Sequence, residues 1–162
     1  MRSLCFLVTF SVLPTLDVGS IGASDPPLAP LFAVASAKLL GAPGGQNVIV
    51  LPAAEERRAT RARRASGAPH TADAATAREV AGLLVRQGYQ GIRMKHSAPA
   101  RTGAILLILG AVRFEPPSKP TFARLIIEVV GTDGTREAME FLLKREPGGW
   151  RALKMESAED VS

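Results

Sequence analysis

The chain of 162 residues has little of the chemistry that metal sites and catalytic sites use. It holds one cysteine and two histidines, His70 and His96, which lie in unrelated stretches of the sequence. A zinc site needs three or four converging ligands, and a serine nucleophile needs a histidine base with an orienting carboxylate. No motif here supplies either set, and no glycine run opens a helix as a phosphate-binding loop does. The sequence therefore predicts no metal, no cofactor and no catalytic residue, and it favours a non-enzymatic role.

The single cysteine, Cys5, lies inside an uncharged run from Leu4 to Leu16 that follows the basic Arg2. Such a run is typical of an export signal and is too short to cross a membrane as a helix. Small residues between 20 and 24 offer two alternative cleavage positions. We therefore expect residues 1–23 to be a signal peptide. The mature chain would then be exported, periplasmic or extracellular, without cysteine, disulfide or transmembrane span.

Residues 53–72 contain no aromatic residue and no aliphatic residue larger than alanine. Such a segment buries too little apolar area to order itself, so we predict an exposed linker. It carries a cluster of five arginines: Arg57, Arg58, Arg61, Arg63 and Arg64. The cluster is able to bind an anionic surface, and the alternatives are a solvated charged linker or a protease processing site. Nucleic acid is disfavoured as a partner, because no aromatic residues are interleaved for base stacking.

The segments on either side of this linker carry helix and strand patterns. Residues 24–52 predict a proline-rich tether, a short helix over 31–40 and a strand that begins at Val48. Residues 73–88 predict a second helix that ends at Gly88, with either a Thr76–Glu79 capping box or Asp73 as its start. Its expected apolar face consists of Ala77, Val80, Ala81, Leu84 and Val85.

From Gly91 onward the apolar period changes to two, which is typical of strands. We predict strands at 91–97, 104–114, 121–131, 136–145 and 149–156, with a hairpin turn at Asp133-Gly134. The continuously apolar run from Ile105 to Val112 predicts a central strand that is buried on both faces. Met139, Phe141 and Leu143 alternate on one face, and Trp150 and Leu153 are expected to help close the core.

These patterns predict the α+β class: one or two amino-terminal helices followed by a curved, mostly antiparallel sheet of about five strands. Residues 73–157 form the expected core domain, and residues 158–162 an expected disordered tail.

The turn at Asp133-Gly134 and the run from Arg145 to Arg151, which contains Gly149-Trp150-Arg151, resemble the last hairpin of the NTF2-like superfamily. The resemblance covers roughly residues 73–156. It implies strands curved into a cone around a pocket. Catalytic members place an Asp–His pair in that pocket, and this pair has no matched positions here. The run from Gln87 to Ile92 after the second helix is also similar to exported PepSY-type modules.

Three residues are candidates for lining a pocket: His96, Glu128 and Trp150. Glu128 interrupts an apolar strand, and alternation places it on the face opposite Leu125 and Ile127. We expect it to be exposed to solvent, with a pocket carboxylate as the alternative. The function that these observations predict is an exported domain that binds a small ligand or a partner without catalysis. The alternatives are an NTF2-like enzyme with a polar cone pocket and an anionic-surface binder that uses the arginine cluster.

Overall fold

The computed structural model describes residues 27–52, 70–97, 103–116 and 121–158. They form an α+β fold with two helices and an open, mostly antiparallel sheet of seven strands, where about five were predicted. In chain order the elements are α1 (Ala29–Leu40), β1 (Val48–Pro52), β2 (His70–Thr71), α2 (Ala74–Arg86), β3 (Ile92–Met94), β4 (Ile105–Glu115), β5 (Phe122–Val130), β6 (Arg136–Glu146) and β7 (Gly149–Ser157).

The strands are arranged in the order β3-β1-β4-β5-β6-β7, and β4 to β7 form an antiparallel meander. Strand β1 lies between β3 and β4 and runs parallel to both. The strand expected to begin at Val48 is therefore observed, and it joins the same sheet although it precedes α2 in the chain. Its residues Val48 to Leu51 are all buried, which is typical of an interior parallel strand with both faces covered.

Strand β2 pairs with β4 beyond the point where β1 ends. Pro52 pairs with Leu109, and His70 pairs with Val112 a little further along the same strand. Ala72, directly after β2, is fully buried. The predicted exposed linker is therefore corrected at its end, since residues 70–72 belong to the sheet and its core. Residues 53–69, which include the five arginines, lie outside the described residues.

Both helices pack on one face of the sheet. Helix α1 contacts α2, β5 and β7, whereas α2 contacts β1 and β3. Asp73 caps α2 by accepting the backbone N–H of Thr76 at 2.7 Å, so the alternative start at Asp73 is the observed one. Four of the five expected apolar residues of α2 are buried, and Val85 is 53% exposed.

The turn after α2 ties the two helices together. The buried Tyr89 directs its hydroxyl to the end of α1, 2.5 Å from the carbonyl oxygen of Gly41. Gly91 has a φ of +72°, and a Cβ there would lie 2.9 Å from the backbone oxygen of Gln46. The run from Gln87 to Ile92, which resembles PepSY-type modules, therefore has a structural role here, because it joins α1, α2 and β3.

Strand β4 contains a bulge. Its register with β5 shifts between Leu109 and Val112, so that Gly110 and Ala111 stand opposite the single Ile126. Before the bulge Leu107 and Leu109 join the core beneath the helices, and after it Val112 and Phe114 do. This change of phase explains why the run from Ile105 to Val112 is apolar almost without interruption.

A second, smaller apolar cluster lies on the face away from the helices. Ile49, Leu51, Ala104 and Leu106 are buried there, and Ile108 and Val130 pack against them. The prediction that the central strand is covered on both faces is therefore confirmed for the first half of β4.

The first prediction tests the assignment of the two faces of β4. Leu107→Ala is expected to lower the free energy of unfolding by about 2–5 kcal/mol, because Leu107 is fully buried beneath the helices. Ile108→Ala is expected to cost less, since Ile108 is only partly buried in the smaller cluster. Denaturant melts measure both variants. A loss below about 0.5 kcal/mol for Leu107→Ala would contradict this core.

The second prediction compares two glycines. A Cβ on Gly110 would lie 2.7 Å from the backbone oxygen of Ile126, whereas nothing lies within 4 Å of one on Gly82 in α2. Gly110→Ala is therefore expected to destabilise the protein by about 1–3 kcal/mol. The control Gly82→Ala is expected to stabilise it by about 0.5–1 kcal/mol through helix propensity. Thermal melts that show equal effects for the two variants would mean that the bulge is wrongly placed.

Candidate functional site

The three predicted pocket residues lie in three separate places. His96 is exposed just after β3, at one edge of the sheet, whereas Trp150 is on β7 at the other edge. Glu128 is on β5, on the face away from the helices. The structure therefore does not bring them together around one cavity. Within the described ranges, no group of three histidine, cysteine, aspartate or glutamate residues is placed to hold a metal ion.

Glu128 occupies the border of the smaller apolar cluster. It stands opposite Ile108 on β4 and opposite Ala138 on β6, and its side chain is only 14% exposed. The expectation of solvent exposure is therefore wrong, although the alternation that assigned its face is correct. Arg136 approaches the carboxylate oxygen Oε1 at 3.1 Å through Nη1 and supplies the opposite charge that a partly buried carboxylate needs.

Ion pairs cover the same face of the meander beyond Glu128. Arg124 Nε lies 3.4 Å from Glu115 Oε1, and Arg124 Nη1 lies 3.6 Å from Glu140 Oε1. Arg113 Nε approaches Glu115 Oε1 at 4.0 Å. Exposed pairs of this kind contribute little to stability, and their alternating signs leave no concentrated charge. We interpret this part of the face as a solvated surface.

An aromatic row closes the helix side of the sheet at the end of β4. The rings of His70 and Phe114 meet edge to face with centroids 5.2 Å apart, and Phe114 lies 6.1 Å from Trp150. Phe114 is opposite Ala123, whose small side chain leaves room for the rings to approach across the strands. Trp150 therefore packs against the core as predicted. No local sequence signal indicates that His70 and Phe114 join Trp150, because the pairing of β2 with β4 is not local.

Strand β7 also contains a bulge. Its register with β6 shifts between Leu142 and Leu143, and Leu153 is the extra residue. Ala152 stands opposite the buried Leu143 and Met155 opposite the buried Phe141, so both lie on the helix side. The expectation that Leu153 closes the core is wrong, because the bulge removes it from that side and leaves it 44% exposed.

The outer edge of β7 is open within the described residues, where this strand pairs with β6 alone. Ala158 donates its N–H to the carbonyl of Ala138 at 2.7 Å, which fixes the phase of the ladder. Bonded and non-bonded pairs alternate in antiparallel sheets. Glu156 therefore bonds toward β6, while the N–H and C=O of Met155 and Ser157 are directed to the open edge.

The two faces of β7 carry different side chains. On the helix side lie Trp150, Ala152 and Met155, and Met155 is 40% exposed. On the other face Arg151 stands opposite Lys144, and Lys154 opposite Leu142. Arg151 Nε lies 3.0 Å from Glu146 Oε1, and Lys154 forms an ion pair with Glu156. The site that the structure presents is therefore a strand edge with an apolar side and a basic side.

Comparisons with protein-family models, with curated proteins and with solved structures find no match to this chain. In the described part of the chain, neither helix has the length and apolar character needed to cross a membrane.

Proposed function

We propose that the chain is an exported, non-enzymatic α+β domain that binds a partner protein by pairing an extended segment of that partner with the open edge of β7. One observation carries the proposal. Among the described residues β7 pairs with β6 alone, so the edge directs the backbone groups of Met155 outward, next to the large apolar side chains of Leu153 and Met155, which are 44% and 40% exposed. Peptides that add a strand to a sheet obtain affinity from such main-chain groups and specificity from alternate side chains.

The edge is part of the folded sheet before a partner arrives. Strand β7 is bonded to β6 along its length, and α1 packs against it from the helix side. Trp150 anchors its first residues through Phe114. A preformed edge loses little conformational freedom when a segment binds, so most of the interaction free energy is available for affinity.

The packing of the meander favours this proposal over an NTF2-like enzyme. An enzyme of that kind uses polar groups in a cavity on the concave side of its sheet. Here the side chains on the helix side of β5 and β6 include Leu125, Ile127, Phe141 and Leu143, all buried in the main core. Anionic-surface binding by the arginine cluster stays a separate proposal, because those residues lie outside the described ranges.

The third prediction concerns export. Mass spectrometry of the periplasmic or secreted protein is expected to show an amino terminus between about residues 21 and 26, as a cleaved signal peptide requires. Recovery of a soluble cytosolic form that retains Met1 would contradict export without affecting the proposal for β7.

The fourth prediction tests pairing at the edge with a matched pair of variants. Met155→Ala removes the side chain and keeps the outward N–H, whereas Met155→Pro removes both. Proline is tolerated on an edge strand where the N–H faces solvent, so both variants are expected to fold. Met155→Pro is expected to bind extended peptides at least about fivefold more weakly than Met155→Ala, because a main-chain hydrogen bond is lost and the proline ring blocks approach (about 1–3 kcal/mol).

The measurement is fluorescence anisotropy with labelled peptides of four Thr-Val repeats on a solubilising tail. Circular dichroism confirms that both variants are folded, and Lys154→Pro, which removes a bond to β6, serves as the destabilised control. Equal affinities for Met155→Pro and Met155→Ala, or no binding by the parent protein, would reject the pairing of a partner segment with β7.

A further inference from the structure

The chemistry of β7 specifies the partner segment more closely. We infer that the segment which pairs with β7 alternates acidic and apolar residues, with its acidic side chains on the face of Arg151 and Lys154. This inference rests on the proposed function of the edge. It follows from the two different faces that β7 presents to any strand laid beside it.

The face away from the helices is basic along the edge. The side chains of Arg151 and Lys154 are 64% and 61% exposed. The bulge at Leu153 keeps both on this face although three positions separate them, since Arg151 is paired with Lys144 and Lys154 with Leu142. Lys144 lies on this face as well, so between residues 144 and 156 three basic side chains stand there against the carboxylates of Glu146 and Glu156. An added strand would therefore place side chains of this face beside Arg151 and Lys154.

The helix side of the same edge is apolar. Ala152 and Met155 lie there beyond the buried Leu143 and Phe141, and Trp150 is half-buried next to them. Apolar side chains of the added strand would extend the main core outward and cover Met155. Because side chains of a strand alternate between faces, the complementary segment alternates in the same way.

The charges also disfavour a second copy of this chain as the occupant. Two β7 edges placed side by side would bring Arg151 and Lys154 of one copy close to those of the other. Cations on an edge strand are a common device against such self-pairing. An acidic segment would be attracted rather than repelled, because each of its carboxylates approaches a cation whose existing ion pair is exposed and weak.

The fifth prediction uses three labelled peptides of the same length: four Glu-Val repeats, four Thr-Val repeats and four Lys-Val repeats. At low ionic strength the Glu-Val peptide is expected to bind about three- to tenfold more tightly than the Thr-Val peptide, and the Lys-Val peptide more weakly than both. The difference is expected to fade near 1 M salt, where the Debye length falls to about 3 Å.

The charge variant is the double substitution Arg151→Gln and Lys154→Gln, which is expected to bind all three peptides with similar affinity. Its matched control is Arg113→Gln and Arg124→Gln, on the same face of β4 and β5, which is expected to keep the preference for Glu-Val. Circular dichroism checks that both double variants fold, and Met155→Pro checks that binding occurs at the edge.

The outcomes separate the inference from the function on which it rests. Equal binding of the three peptides by the parent protein, still sensitive to Met155→Pro, would overturn the acidic segment and leave the strand edge as the site. Loss of sensitivity to Met155→Pro would overturn the function itself. A dimer in sedimentation experiments that Met155→Pro dissociates would identify a second copy as the occupant and would also overturn the acidic segment.

Discussion

Strand β4 is bonded along both of its edges, and this pairing sets the position of every other element. On one edge β1 pairs with its first half and β2 with its second half, while β5 follows the other edge. The bulge at Gly110 changes which side chains face the helices, so Leu107 and Val112 can share one core. A shift by one residue would move this whole set to the opposite face. The close approach of Gly110 to Ile126 keeps the register fixed.

The meander was predictable because its signals are local. The expected strand at 136–145 is observed as Arg136–Glu146, and the turn between β5 and β6 falls at Asp133-Gly134 as expected. In that turn Thr135 donates its hydroxyl and its N–H to Asp133, and these hydrogen bonds lower the pKa of the carboxyl group. Period-two alternation and turn residues act over a few positions, so the sequence displays them directly.

The place of β1 and the limits of the core were not predictable in the same way. Nothing within Val48–Pro52 shows that its neighbours are β3 and β4, because parallel partners are separated by long connections. The bulge in β7 is likewise not apparent from the sequence, because the residues around it alternate regularly. It removes Leu153 from the core that this residue was expected to close. Pocket candidates chosen by residue type, such as His96 and Glu128, depend on strand order, which local patterns do not contain. Whether a strand edge is open also depends on strand order, so local patterns do not show it either.

The two bulges show how one device serves stability in β4 and, in the proposed function, recognition in β7. In β4 the extra residue lies within the sheet, and glycine fills a position where a Cβ would meet the neighbouring backbone. In β7 the extra residue lies at the open edge, where Leu153 is exposed and Arg151 and Lys154 share a face. The ion pairs of these two cations are exposed and are worth about 0.2–1 kcal/mol each. Under the proposed function, a partner carboxylate would replace Glu146 or Glu156 without unfolding the hairpin, because the main core beneath β6 holds it in place.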